Sequence, residues 1–276
     1  MSGRAMSFKA KIRNIAKEKG LPAQVILQNY MFERFLERLS KSEYKDKFII
    51  KGGILIAALV GLDSRATMNL DATVKNYSLN IDTVTKAIND ICHIGLDDSV
   101  NLTLSGVDHI RDDDIYGGYR VSLKADYENI SIPMHIDITT GDTITPKEIT
   151  YKFQMNFTEG FITVLSYNIE TVLAEKVETI LRRGELNTRP RDFYDVYILT
   201  KTQSFNRLTF IEALKGTSKH RESTHILIDI HKRIEDIHTS GPLKLRWERY
   251  TKDYNYARDI SYDDVLSKIK VLLGEL

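Results

Sequence analysis

Asp71 lies in the segment RATMNLDATV, residues 65–74, with Asn69 two positions before it. If that segment is a strand, side chains two apart point to the same side. Two carboxylates so placed could hold a hard divalent cation such as Mg2+, which prefers oxygen ligands. Only Asp71 is acidic here; the amide of Asn69 offers an oxygen without a negative charge. A single exposed aspartate on an ordinary strand would look the same. A further carboxylate, Asp137, stands in PMHIDITTGD, residues 133–142. There the alternation puts Ile136 and Ile138 on one side, and His135, Asp137 and Thr139 on the other. Asp137 is a carboxylate on a strand otherwise suited to burial, and a third acid on a neighbouring strand is what a two-metal phosphoryl-transfer site needs. An edge-strand aspartate is the alternative.

Three further segments carry candidate chemistry. In KFIIKGG the pair Gly52-Gly53 joins a short strand to an apolar helix. Glycines there let backbone amides at a helix N-terminus approach an anion, phosphate included, although a plain tight turn has the same composition. In YNIETVLAEKVETILRRG, residues 167–184, Lys176 falls in the middle of the apolar stripe of Ile169, Val172, Leu173, Val177, Ile180 and Leu181. A lysine so placed either snorkels outward or reaches an anion such as a triphosphate. In NTRPRDFYDVYILT, Pro190 suits a first helical turn, and Asp192 then sits near its positive end. Asp192 flanks the stripe of Phe193, Val196 and Tyr197, and Asp195 points further from it. Arg189 and Arg191 meet either phosphates or solvent.

Two segments imitate sites. RDDDIY, residues 111–116, is the densest acidic run, but three consecutive aspartates cannot face one point, so it reads as a solvated turn. RWERYTKDYNYARD, residues 246–259, interleaves aromatic and basic side chains as single-strand binders do. Trp247, Tyr250 and Tyr254 also fit a helical core stripe, and core packing is the expectation.

The elements that would position these residues follow from hydrophobic period. Residues 7–18 read as a basic helix. Residues 22–42 read as a long amphipathic one, through Val25, Ile26, Tyr30, Phe32, Phe35, Leu36 and Leu39. A short strand KFII, a buried helix ended by Gly61, a strand over 65–74 and a helix over 81–93 follow. Residues 99–165 read as five strands, and the chain beyond 168 as helices. The architecture expected is a mixed α/β half, residues 1–165, and a helical half, residues 166–276.

Composition bounds the rest. The chain has 276 residues, 42% hydrophobic and 28% charged, with a net charge of +1. That is ordinary for a soluble globular protein and supplies no global basic field, so any nucleic-acid surface is local. A single cysteine, Cys92, excludes an internal disulfide, and seven scattered histidines argue against structural zinc. The longest apolar run, Ile54 to Leu62, is too short to span a bilayer. No N-terminal stretch has signal-peptide character. The expectation is a soluble, cytoplasmic protein without a membrane partner.

The order of the segments is more specific than any one of them. KFIIKGGILIAAL, SRATMNLDATVK, HIDITTGD, IETVLAEKVETILRR and TRPRDFYDVYIL, preceded by MFERFLERLSKSEYKDKFIIKGG, resemble the AbiEii/AbiGii-type nucleotidyltransferase toxins of type IV toxin–antitoxin and abortive-infection systems. The resemblance covers roughly residues 25–200. It implies a DNA-polymerase-β-like α+β domain with a mixed sheet, followed by a helical domain. It implies transfer of a nucleotide from an NTP to an RNA acceptor such as the tRNA 3′ end, with Mg2+ or Mn2+, and an antitoxin encoded alongside. By position, Gly52 and Gly53 match the phosphate-facing turn. Arg65 and Thr67 match the polar residues before the acidic pair. Asp71 matches the second metal-binding acid and Asp137 the third carboxylate. Lys176 matches the lysine that meets the nucleotide phosphates, and Asp192 the acid of the last motif.

Asn69 departs from the pattern, standing where the family has its first metal-binding aspartate. Because the other positions are intact, Asn69 is expected to be an engineered replacement that disables a growth-inhibiting enzyme. A natural pseudoenzyme that still binds nucleotide competes with that view. Transfer to a small acceptor of aminoglycoside type, and a non-catalytic nucleotide- or partner-binding role, are the alternative functions.

Overall fold

A computed structural model describes residues 3–110 and 117–274. The RDDDIY run lies outside the described residues. The chain divides into two compact units: residues 1–141 with 149–166, and residues 142–148 with 167–276.

The first unit holds α1 (Gly3–Lys19), α2 (Ala23–Lys41), β1 (Phe48–Lys51), α3 (Gly52–Val60), β2 (Leu70–Val74), α4 (Ile81–Cys92), β3 (Val100–Ile110), β4 (Gly118–Tyr127), β5 (Ile130–Thr140), β6 (Ile149–Gln154) and β7 (Phe161–Ser166). The strands form one mixed sheet in the order β3-β4-β5-β2-β1-β7-β6. β1 runs parallel to β7 and β2 parallel to β5, while the other neighbours are antiparallel. Apolar positions two apart on β5, Ile132, Met134, Ile136 and Ile138, are buried, as a half-buried strand demands. The apolar stripe of α2, including Ile26, Phe32, Phe35, Leu36 and Leu39, is buried as its period predicts.

β2 is shorter than its sequence predicts. The alternation of 65–74 reads as one strand, but pairing begins only at Leu70. β1 ends at Lys51, opposite Asp71, because Gly52 turns the chain at φ 65° into α3. Upstream, the polar groups have other partners. The Thr67 carbonyl accepts from Asn29 Nδ2 at 3.2 Å, Thr67 Oγ1 donates to the Asn69 carbonyl at 3.2 Å, and Arg65 donates to the Ala66 carbonyl.

Among the buried residues of α2 is an acid, Glu33, 2% exposed. Its Oε1 accepts from the Asn156 backbone N at 2.9 Å and from Asn156 Nδ2 at 2.7 Å. Burial disfavours the charged form and pushes the carboxyl up to about 7. The folded state therefore keeps a proton that the unfolded chain releases near 4.5, and stability falls as pH rises between those values. Glu33→Gln retains an oxygen acceptor for Asn156 and removes the charge. It is expected to stabilise the protein by on the order of 3 kcal/mol at pH 8 and to change little at pH 4. Urea unfolding at the two pH values checks this; equal effects at both would contradict it.

The second unit is helical: α5 (Ile169–Arg183), α6 (Pro190–Thr202), α7 (Arg207–His220), α8 (Ile230–Thr239), α9 (Gly241–Asp253) and α10 (Tyr262–Leu273). Residues 142–148 belong to it because they are held by the start of α5. Asn168 caps that helix, accepting from Thr171 N at 2.7 Å, and its Nδ2 donates to the carbonyls of Thr145 and Lys147 at 2.8 and 2.9 Å. Tyr167 Oη donates to Asp142 Oδ2 at 2.7 Å. A division read from the change of pattern at 165/166 misses these seven residues, since they carry no helical period. Trp247 and Tyr250 are buried, with Trp247 Nε1 donating to the Ile260 carbonyl at 2.9 Å. Their stripe on α9 is core. Among the described residues, no helix is long and apolar enough to cross a membrane.

Candidate active site

The sheet register assembles the charged residues of the first unit. Lys51 on β1 is opposite Asp71 on β2, Asp71 is opposite Asp137 on β5, and Asp137 is opposite Arg120 on β4. Paired positions on neighbouring strands present side chains to the same face. The result is a row of charge, plus–minus–minus–plus, across four adjacent strands. Two carboxylates side by side repel, and the flanking cations offset this. Arg120 grips Asp137 bidentately, Nε to Oδ1 at 2.8 Å and Nη2 to Oδ2 at 2.7 Å.

Asp71 is tied to the start of α3. The Gly53 amide donates to Asp71 Oδ2 at 3.3 Å, where the positive end of the helix dipole favours a carboxylate. This approach is why position 52 is glycine. Its φ of 65° is left-handed, and a Cβ there would overlap the Asp71 carboxylate, at 2.7 Å from Cγ. At Gly53 a Cβ would lie 2.7 Å from Thr67 Oγ1 and 3.4 Å from Arg65 Nη2. The glycine pair thus brings Asp71, Thr67 and Arg65 against one helix end. The anion that meets the first turn of α3 is Asp71.

Gly52→Ala is expected to combine backbone strain with displacement of Asp71, costing about 2–4 kcal/mol. Gly20→Ala is its control, because Gly20 also has positive φ, 63°, but nothing lies within 4 Å of where its Cβ would stand. Denaturant unfolding should show the Gly52 variant to be the weaker by at least about 1 kcal/mol. Equal losses would mean that Asp71 yields without cost.

Asn69 stands just before β2 and is exposed. The period-two argument that paired it with Asp71 therefore does not apply, since the strand begins one residue after it. Asp137 lies on the side opposite Ile136 and Ile138, as its alternation predicts.

Lys176 and Asp192 lie in the second unit. Lys176 Nζ is 2.6 Å from Asp192 Oδ1 and 2.9 Å from Asp195 Oδ2. The anions it reaches are carboxylates of α6. Asp195, read from sequence as pointing away from the apolar stripe, is instead fully buried. Asp192 and Asp195 are three apart on one helix, and such residues are neighbours on its surface. That spacing was the available signal for Asp195. Arg120 had none beyond its place on a strand, because only the register brings it to Asp137. Among the described residues, no group of three or more His, Cys, Asp or Glu side chains is gathered as a metal cage.

The fold has solved relatives. JHP933 from Helicobacter pylori is 15% identical with a TM-score of 0.52, over 92% of this chain and 91% of that one. An H. pylori protein named provisionally as a nucleotidyltransferase is 15% identical with a TM-score of 0.50, over 92% and 94%. No curated protein matches the sequence. The profile of one family, described as nucleotidyl transferase AbiEii toxin, type IV TA system, matches residues 34–268.

Proposed function

Since this chain belongs to the AbiEii nucleotidyltransferase toxin family of type IV toxin–antitoxin systems, we propose that it transfers a nucleotide from an NTP to an RNA, with the tRNA 3′ end as acceptor. The observation that carries the reading is the Asp71–Asp137 pair in direct register, with Asp71 anchored to the Gly53 amide. Adjacent carboxylates on parallel strands are the hard oxygen donors that Mg2+ or Mn2+ takes, so the residues fit a divalent ion. Asp71 and Asp137 would hold it, and residue 69, one position before β2, is assigned as third donor by the family pattern and not by strand register. Such an ion would polarise the α-phosphate and offset developing charge.

The reaction is in-line attack of the RNA 3′-hydroxyl on the NTP α-phosphorus. An O–P bond forms, the bond to the β-phosphate oxygen breaks, the hydroxyl proton passes to the Asp137 carboxylate and on to water, and pyrophosphate leaves with its charge. Asp137 is assigned to orienting the attacking hydroxyl or the ion, with Arg120 holding the carboxylate meanwhile. Gly52 and Gly53 let Asp71, Thr67 and Arg65 close on the first turn of α3, and the glycine turn, Arg65 and Thr67 are assigned to the nucleotide phosphates. Lys176 is assigned to the triphosphate, and Asp192 to holding the Lys176 ammonium in place. The setting is the cytoplasm, where tRNA and NTPs are, within a phage-defence system silenced by a cognate antitoxin.

One feature supports a second reading. Asn69 leaves the acidic pair without the charge of a third ligand, and Arg120 already neutralises Asp137. That combination suits a protein that binds nucleotide without transferring it. Incubation of total tRNA with each labelled NTP and Mg2+ or Mn2+ separates the two, comparing this chain with its Asn69→Asp form. Label from the aspartate form supports the transferase. Nucleotide binding without label from either form supports the non-catalytic protein.

A further inference from the structure

A chain of net charge +1 must meet a polyanion through a local surface, and α1 has the required composition. Its sequence GRAMSFKAKIRNIAKEK carries Arg4, Lys9, Lys11, Arg13, Lys17 and Lys19 against a single acid, Glu18. Ala5, Phe8, Ile12 and Ala16 are buried and hold the helix to the unit. Lys11 donates to the Phe157 carbonyl at 2.5 Å. Lys9, Arg13 and Lys17 recur every fourth residue, a ladder of cations with steps of about 6 Å along the axis. A phosphodiester backbone repeats its charge on the same scale.

Beside this ladder α1 and α2 enclose a groove of about 130 Å³, lined by Phe8, Ile12 and Leu27 and bordered by Lys9, Arg13 and Gln24. Its walls are apolar and its border is cationic. An unpaired nucleobase has apolar faces, a polar edge and a phosphate on either side. Sequence-tolerant RNA binders take single-stranded bases in this way, stacking the ring and neutralising the backbone.

We propose that α1 and this groove form an RNA-binding surface, with phosphates on Lys9, Arg13 and Lys17 and one unstacked base seated between α1 and α2. Gln24 supplies the amide that meets the base edge. The inference rests on the RNA-acceptor reading above and adds the place where the RNA is held. An acidic protein segment is the other occupant the charge would accept. RNA is favoured because the groove is a slot beside a regularly spaced row of cations, rather than a broad apolar face.

The test is binding of labelled total tRNA to the full chain over a range of salt. The double variant Lys9→Ala/Arg13→Ala should bind at least about tenfold more weakly at low salt. The slope of log K against log salt should fall by about 1.4, two phosphates at roughly 0.7 each. Gln24→Phe, which fills the groove without changing charge, should weaken binding of a single-stranded RNA oligonucleotide and leave the salt slope unchanged. Thermal unfolding confirms that each variant is folded. Unchanged tRNA affinity and slope in the double variant, with the parent binding tRNA, overturn the surface and leave the acceptor reading intact. A parent that binds no tRNA at any salt sinks both. Unchanged tRNA binding with lost co-purification of the co-expressed antitoxin also overturns the RNA assignment and gives the surface to an acidic protein.

Discussion

Asn69→Asp is expected to raise nucleotide incorporation into tRNA by at least about 10²-fold. The four central charges of the sheet row, Lys51, Asp71, Asp137 and Arg120, sum to zero, two positive and two negative. A neutral row attracts a divalent ion weakly. An aspartate at 69 adds a negative charge close in sequence to Asp71. Loss of one metal ligand costs several kcal/mol of transition-state stabilisation, and each 1.36 kcal/mol is about a factor of ten in rate. Position 69 is exposed and precedes the strand, so the replacement should leave stability within about 0.5 kcal/mol. Mn2+ affinity followed by electron paramagnetic resonance should rise with activity. Asp71→Asn in the Asn69→Asp background should return both to the parent level. Incorporation that does not respond to the aspartate, with nucleotide still bound, would remove residue 69 from the metal site and favour the non-catalytic reading.

The second large effect is on stability. Lys176→Ala removes the cation shared by Asp192 and Asp195, at 2.6 and 2.9 Å. Asp195 is fully buried and Asp192 nearly so, at 6%. Removing one partner from a buried ionic group leaves charge uncompensated and typically costs about 3–5 kcal/mol. The second unit should therefore unfold at distinctly lower denaturant. The triple variant Lys176→Met, Asp192→Asn, Asp195→Asn removes all three charges together and should recover most of the loss. A cost below about 1 kcal/mol for Lys176→Ala would show that the cluster is not structural. With the expected loss of stability, inactivity of Lys176→Ala by itself says nothing about phosphate binding, because an unfolded unit is inactive too. In the Asn69→Asp background, a triple variant that folds but transfers no nucleotide would assign the lysine to the phosphates.

Much of the architecture was legible because it is periodic. The 3.6-residue stripe of α2 and the alternation of β5 are local properties, and burial follows them. The Gly-Gly junction also announced itself, since few residues other than glycine accept φ 65° with a carboxylate against Cα. Asp71, Asp137, Lys176 and Asp192 stood out as charges on otherwise apolar elements.

Other features depended on partners distant in the chain. Alternation overstates the length of β2: it continues through residues 65–69, but β1 ends at Lys51 and the Thr67 carbonyl turns to Asn29 of α2 instead of a strand. Asp195 was misread because a helical face says nothing about whether a lysine from another helix waits there. The seven residues 142–148 joined the second unit through Asn168 and Tyr167, neither of which has a hydrophobic pattern to advertise it.

By itself the sequence determined which residues could carry charge into the protein, on which kind of element, and the family to which their order belongs. Only the tertiary structure decided which charges meet. Asp71 and Asp137 are 66 positions apart, and their juxtaposition is a matter of register between β2 and β5. Register is set by the burial of a whole strand face, and a slip of one residue would turn every side chain over. The pairing of Arg120 with Asp137 follows the same rule, whereas Lys176 meets Asp195 through the packing of α5 on α6. Periodicity is a local property of the chain, whereas the neutralisation of a buried charge is decided by whatever the completed fold places beside it.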